Sequence, residues 1–173
     1  MRKKFCLLFS LLLLASPFAR AAEADGFQHL TFTVDGVVRT ALIYAPPTAR
    51  SVSAPLVFVL HGHGGNARQV AHSYALNRQW PEAISVYMQG LDTPGQLTDP
   101  QAAPGDQGDR NLKFFDVVPA RLKQDYDVDT RRIYCTGHSN GGGFTFLDLW
   151  TRHQGPSINA GTGAAQALPP KLT

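Results

Sequence analysis

Cysteine is almost absent: the 173 residues contain two, Cys6 and Cys135. Long apolar runs are equally scarce, and the one that exists, Phe5 to Leu14, lies at the start of the chain. It follows Arg2, Lys3 and Lys4, ends before Pro17, and is succeeded by Ala19-Arg20-Ala21, which puts small residues at the two positions a signal peptidase inspects. Its roughly ten residues fall short of the roughly 20 needed to cross a bilayer, so a cleaved export signal over residues 1–21 is expected rather than an anchor. No later segment looks transmembrane. Cys6 falls inside the signal, which leaves Cys135 alone and excludes an intramolecular disulfide. Stability must then come from packing, and about 150 residues can bury on the order of 70% of their unfolded surface, enough for one domain.

An excess of basic charge is also lacking once the signal is removed. Of the sixteen Lys and Arg, Arg2, Lys3, Lys4 and Arg20 lie in residues 1–21, leaving twelve against thirteen Asp and Glu. A near-neutral chain offers no basic stripe for nucleic acid or for an anionic membrane surface. The expectation is a secreted or periplasmic protein whose residues 22–173 form a single domain, with no internal repeat and no linker.

What is present is a set of short elements in a telling order. Leu30, Phe32 and Val34, an Asp35-Gly36 turn, then Val38, Ala41 and Ile43 read as an antiparallel hairpin over Gln28 to Ala45. Leu56 to Leu60 is a continuous apolar run, the mark of a strand buried on both faces of a parallel sheet. A helix is expected over Ala67 to Trp80, a strand over Ile84 to Met88, and a loop over Gln89 to Asn111. A second helix over Leu112 to about Asp125 carries Phe115, Val118 and Leu122 on one face, with Pro119 expected to bend or break it. Arg132 to Gly137 is another buried strand and Gly141 to Arg152 another helix. This alternation predicts an α/β fold: a mostly parallel sheet with right-handed crossovers after an antiparallel N-terminal hairpin. Cys135, in the apolar strand Ile133 to Thr136, is expected to be an inert buried thiol.

Two glycine motifs stand at strand ends. Gly137-His138-Ser139-Asn140-Gly141 fits G-x-S-x-G between a hydrophobic strand and a helix, the context in which a serine sits on a strained turn with its hydroxyl exposed. Ser139 is the candidate nucleophile, with Gly137 and Gly141 letting backbone pass closely. His61-Gly62-His63-Gly64-Gly65 follows the strand Leu56 to Leu60, and a glycine-rich loop there can aim backbone N–H groups at an oxyanion. The N–H of Asn140 is one candidate donor and that of His63 the other, with Gly62 and Gly64 as alternatives. His61 and His63 as a metal pair lack a nearby carboxylate or cysteine to complete a ligand set, and the loop lacks the Gly-Lys-Ser/Thr ending of a phosphate-binding loop. A tight turn with structural histidines is the plain alternative. No metal or organic cofactor is called for.

His61-Gly62-His63-Gly64-Gly65, Gln89-Gly90, Arg131-Arg132-Ile133-Tyr134 and Gly137-His138-Ser139-Asn140-Gly141-Gly142, taken in order, resemble the polyhydroxybutyrate depolymerase and feruloyl esterase-like family over most of residues 38 to 150. The resemblance implies an α/β-hydrolase fold, secreted carboxylic-ester hydrolysis of small or polymeric esters, and a triad of Ser, Asp and His in chain order. The sequence departs from that pattern after Ser139. The 34 residues that follow it end in a Gly-, Ala- and Pro-rich stretch, Gly155 to Thr173, read as the run-up to a strand that is itself absent. Asp148, nine residues along the elbow helix, would lie more than about 10 Å from the hydroxyl at about 1.5 Å per residue, and His153 farther. His138 points elsewhere, and Asp106 and Asp109 are read as solvated. The expectation is a partial domain truncated after the elbow helix, with Ile133 to Thr136 as an unpaired, aggregation-prone edge. A catalytically inactive remnant acting as a binder is the rival from another class, and a peptidase or thioesterase with the same elbow stays open.

Overall fold

The computed structural model describes residues 26–91, 110–145 and 158–160. The expected export signal, Asp106, Asp109, Asp148 and His153 lie outside the described residues. Strands β1 (Gln28–Val34) and β2 (Val37–Tyr44) form the expected hairpin, with Val34 opposite Val37. Asp35 and Gly36 both have positive φ, 49° and 77°, the tight-turn geometry that matches the twist of the flanking strands. Leu30, Phe32 and Val34 are buried as expected, but β2 needs a correction. Val38 is 62% exposed, and Arg39 is the buried residue at 2%. Strand parity puts Arg39 with Ala41 and Ile43 on the inner face, so Val38 must face the other way.

Strands β3 (Ala54–Leu60) and β4 (Ile84–Met88) are buried at every residue, as continuous apolar runs in a covered sheet require. Between them the expected single helix is two: α1 (Ala67–Tyr74) and α2 (Leu76–Gln79), separated by Ala75 in the left-handed region with φ 46° and ψ 39°. Asn66 caps α1, its side chain accepting from Gln69 N–H while the Gln69 side chain accepts from Asn66 N–H. The break has a packing reason. Ala67, Val70, Ala71 and Tyr74 share one apolar face, whereas Leu76 would lie about 200° around a continued helix from Tyr74. The left-handed residue resets the phase, so Leu76 and Trp80 join the same cluster.

Helix α3 (Arg110–Asp125) takes in the two residues before the expected start at Leu112 and continues through Pro119. Leu112, Phe114, Phe115, Val118 and Leu122 are all buried. Five large apolar side chains, at about 1.5–3 kcal/mol each, outweigh the roughly 3 kcal/mol that an interior proline costs. Strand β5 (Val128–Gly137) then leads into α4 (Asn140–Gly143), the start of the expected elbow helix; its continuation beyond Thr145 lies outside the described residues.

The sheet has six strands in the order β1-β2-β4-β3-β5-β6, where β6 is Ile158–Ala160. The hairpin joins antiparallel to β4, and β4, β3, β5 and β6 run parallel. The unpaired edge expected at Ile133 to Thr136 is therefore corrected: Ile133, Tyr134 and Cys135 pair with Ile158, Asn159 and Ala160. The segment after Gly155 contributes a short strand where its composition suggested none. One apolar layer packs α3 under Leu56, Phe58 and Leu60, and the other packs α1 under Val57 and Val59. The sheet is thus covered on both faces.

Candidate active site

Strand order decides where the two glycine motifs meet. From β3 the chain moves to β4 on one side, then returns past β3 to β5 on the other. The loops leaving the C-terminal ends of β3 and β5 are therefore adjacent at a reversal of strand order, the position at which open α/β sheets bind ligands.

The loop after β5 is the elbow. Ser139 has φ 52° and ψ −118°, a backbone conformation that an L-residue adopts only at a cost of about 1–3 kcal/mol. His138 N–H donates to Leu60 O at 3.1 Å, Gly141 N–H to His138 O at 2.9 Å, and Gly143 N–H to Ser139 O at 2.9 Å. A Cβ at Gly137 would lie 2.4 Å from the Gly141 carbonyl carbon, and one at Gly141 would lie 2.5 Å from Leu60 O. Both positions lack room for any side chain, because the turn folds back on the end of its own strand and against β3. Ser139, His138 and Asn140 are exposed.

The loop after β3 packs directly against this turn. A Cβ on Gly62 would come 3.1 Å from His138 O and 3.2 Å from both His138 Cδ2 and Ser139 Cβ. Gly64 has φ +69°, and Gly65 N–H closes the turn onto Gly62 O at 3.0 Å. His61 is 2% exposed, and its Nδ1 donates to Gly62 O at 2.8 Å while its Nε2 accepts from Gly90 N–H at 2.9 Å. Those two bonds fix the tautomer: proton on Nδ1, lone pair on Nε2. With that lone pair directed at Gly90, His61 acts as a strut between the loop and the end of β4. His63 is exposed, and among the described residues no group of three or more His, Cys, Asp and Glu is arranged to hold a metal ion.

Supports to which the sequence reading gave no structural role lie one layer back. Gln89 Oε1 accepts from Ala67 N–H at 3.0 Å, so the Gln89-Gly90 pair holds both the first turn of α1 and His61. Thr145 Oγ1 donates to Gly141 O at 2.9 Å, tying the elbow helix to itself. Cys135 lies beneath, its Sγ 3.4 Å from Thr145 Oγ1, and burial pushes its thiol up to about 12. As expected, it is a packed and inert thiol rather than a nucleophile. Strand-end position and glycine spacing signalled the loops, but nothing local in the sequence signalled the His61–Gly90 bond, which joins residues 29 apart. Among the described residues no histidine or carboxylate hydrogen-bonds the Ser139 hydroxyl.

No family model matches the sequence, and neither does any curated protein. Solved structures do match. An acetyl xylan esterase from Aspergillus awamori is 15% identical with a TM-score of 0.59, over 76% of this chain and 50% of that one. An S-formylglutathione hydrolase from Agrobacterium tumefaciens is 16% identical with a TM-score of 0.57, over 80% and 58%. A ferulic acid esterase is 18% identical with a TM-score of 0.57, over 76% and 56%. The chain thus spans about half the length of these proteins, and the likeness establishes the α/β-hydrolase fold.

Proposed function

We propose that this chain carries the nucleophile portion of an exported serine carboxylic-ester hydrolase. The observation that carries the proposal is the conformation and setting of Ser139. A serine with φ 52° at a strand-to-helix turn, with Gly62 of a second glycine loop against its Cβ, is an expensive arrangement, and acyl transfer gives it a use. In this reading Ser139 Oγ attacks the ester carbonyl carbon, and the backbone N–H groups of Asn140 and His63 donate to the oxyanion that forms. The alcohol leaves, and water then releases the acyl group from Ser139. The base that takes the serine proton is, in this scheme, a histidine downstream of the elbow other than His138 and His153. Neither a metal nor an organic cofactor enters the scheme. The esters concerned are extracellular: a polyester such as polyhydroxybutyrate, or a feruloyl or acetyl ester on polysaccharide.

The test is hydrolysis of p-nitrophenyl acetate by the purified chain and by Ser139→Ala. The rate is expected to fall to background in the variant, and equal rates would sink the proposal. One observation favours a second reading, a hydrolase-fold binding protein: the Ser139 hydroxyl has no base among the described residues. That reading expects equal rates together with retained binding of a non-hydrolysable ester analogue.

A further inference from the structure

Gln89, directly after β4, has all of its polar groups engaged. Its N–H donates to Thr40 O at 3.0 Å, and its carbonyl accepts from Arg39 Nη2 at 3.2 Å. Arg39 is buried and also donates to Arg110 O at 2.8 Å and to Asn111 Oδ1 at 2.6 Å. Burial, with the charge of Arg110 added, pulls Arg39 down to about 10, which leaves it cationic at neutral pH and makes its bond to Gln89 O a charge-assisted one. The main chain of Gln89 is thus anchored on β2. From that anchor the side chain reaches outward: Oε1 accepts from Ala67 N–H at 3.0 Å, and Nε2 donates to Gly90 O at 3.2 Å.

The loop from His61 to Asn66 is therefore tied at both ends to two adjacent residues. At its start, Gly90 N–H donates to His61 Nε2 at 2.9 Å. At its far end, the first N–H of α1, on Ala67, goes to Gln89. A helix cannot satisfy that N–H from within, and the Asn66 side chain is occupied with Gln69 N–H. Between the ties, Gly62 O accepts from both His61 Nδ1–H at 2.8 Å and Gly65 N–H at 3.0 Å. The peptide unit is planar and trans, so its own N–H, that of His63, is directed the opposite way. The turn is closed on itself, and the two ties set where it stands against the elbow, with Gly62 beside Ser139 Cβ. The geometry points to Gln89 as a positioning residue of the oxyanion hole: its side-chain amide closes the second tie and so fixes the His63 N–H relative to Ser139. The catalytic use of the tie rests on the ester-hydrolase reading, whereas the tie itself is a property of the loop.

Gln89→Leu removes the acceptor at similar volume, and Gln89→Glu keeps it while adding a charge that a helix start favours. Amide hydrogen exchange on the whole chain reads the tie without any turnover. In Gln89→Leu, Ala67 N–H loses its acceptor directly. Exchange at Gly65 and Gly90, whose N–H groups belong to the turn and to the first tie, is expected to quicken roughly tenfold, the order that one hydrogen bond is worth. Leu56 to Leu60 and Ile84 to Met88 should keep their rates, and Gln89→Glu should restore the parent pattern. A change confined to Ala67 would make Gln89 a helix cap alone and overturn the proposal. Hydrolysis of p-nitrophenyl acetate supplies the second arm. There kcat is expected to drop roughly tenfold or more in Gln89→Leu with KM within about twofold, since a misplaced donor weakens the transition state more than the bound ester, and to return in Gln89→Glu. Faster exchange with an unchanged kcat would also overturn the positioning role. Equal rates in the parent and Ser139→Ala would instead sink the ester reading, and the exchange arm would still decide whether Gln89 places the loop.

Discussion

At the scale of single residues, the elbow glycines separate two jobs that composition cannot distinguish. Gly137 and Gly141 are fixed by backbone atoms 2.4–2.8 Å from where a Cβ would stand, while Gly143, two residues on, has nothing within 4 Å. Gly137→Ala and Gly141→Ala are each expected to cost roughly 2–3 kcal/mol or more, because the obstructing atoms are main chain and cannot swing aside. Gly143→Ala, within a helix, should stabilise by up to about 1 kcal/mol. Denaturant midpoints of the three variants check the contrast, and a comparable loss in all three would refute the steric account. Cys135 supplies a pH test. Its thiol titrates near 9 when unfolded and is pushed up to about 12 by burial, so above pH 9 the unfolded chain binds fewer protons than the native one. Stability must then fall as pH rises, by up to about 1.4 kcal/mol per unit once past the unfolded value. Arg39, held down to about 10, acts in the opposite direction only above that value, so the clean window is pH 9 to 10. The slope in that window should flatten in Cys135→Ala.

Individual elements show where local pattern is sufficient and where it is not. The hairpin, β3, β4 and the strand entering the elbow were legible because each is a short periodic or fully apolar run bounded by turn residues. The α1–α2 break was not: residues 67–80 contain no Gly or Pro, and Ala75 is a strong helix former. The phase shift that Leu76 and Trp80 need to reach the core overrides that propensity. Ala75→Gly discriminates between the two descriptions by sign. In a continuous helix glycine would destabilise by about 1 kcal/mol, whereas at φ 46° it removes a Cβ strain of about 1–2 kcal/mol and should stabilise. A urea titration of parent and variant reads the sign directly. Arg39 was hidden for a related reason: a lone arginine in a strand reads as surface, and its burial depends on carbonyls and an amide 50 to 72 residues away.

For the whole molecule, the informative quantity is strand order, which no local pattern encodes. Alternating strands and helices predicted a parallel sheet, but the return from β4 past β3 to β5 is what sets the His61 loop against Ser139. The same order assigns β6 its task. β5 carries the elbow, and its outer edge is covered only by the three residues Ile158 to Ala160 among those described. An uncovered edge next to an apolar strand is a template for intermolecular pairing. Adjacent residues in a strand direct their N–H groups to opposite sides, so replacing both Ile158 and Asn159 by proline must delete a donor facing β5, whichever of the two supplies it. The double variant is expected to form larger species on size-exclusion chromatography at concentrations where the parent does not, and to lose amide-exchange protection first at Ile133 to Cys135. If β6 contributed nothing, the two chains would elute alike and exchange alike. If it covers the edge as the pairing indicates, the elbow strand should loosen before β3 and β4 do, since those two are flanked on both sides by longer strands.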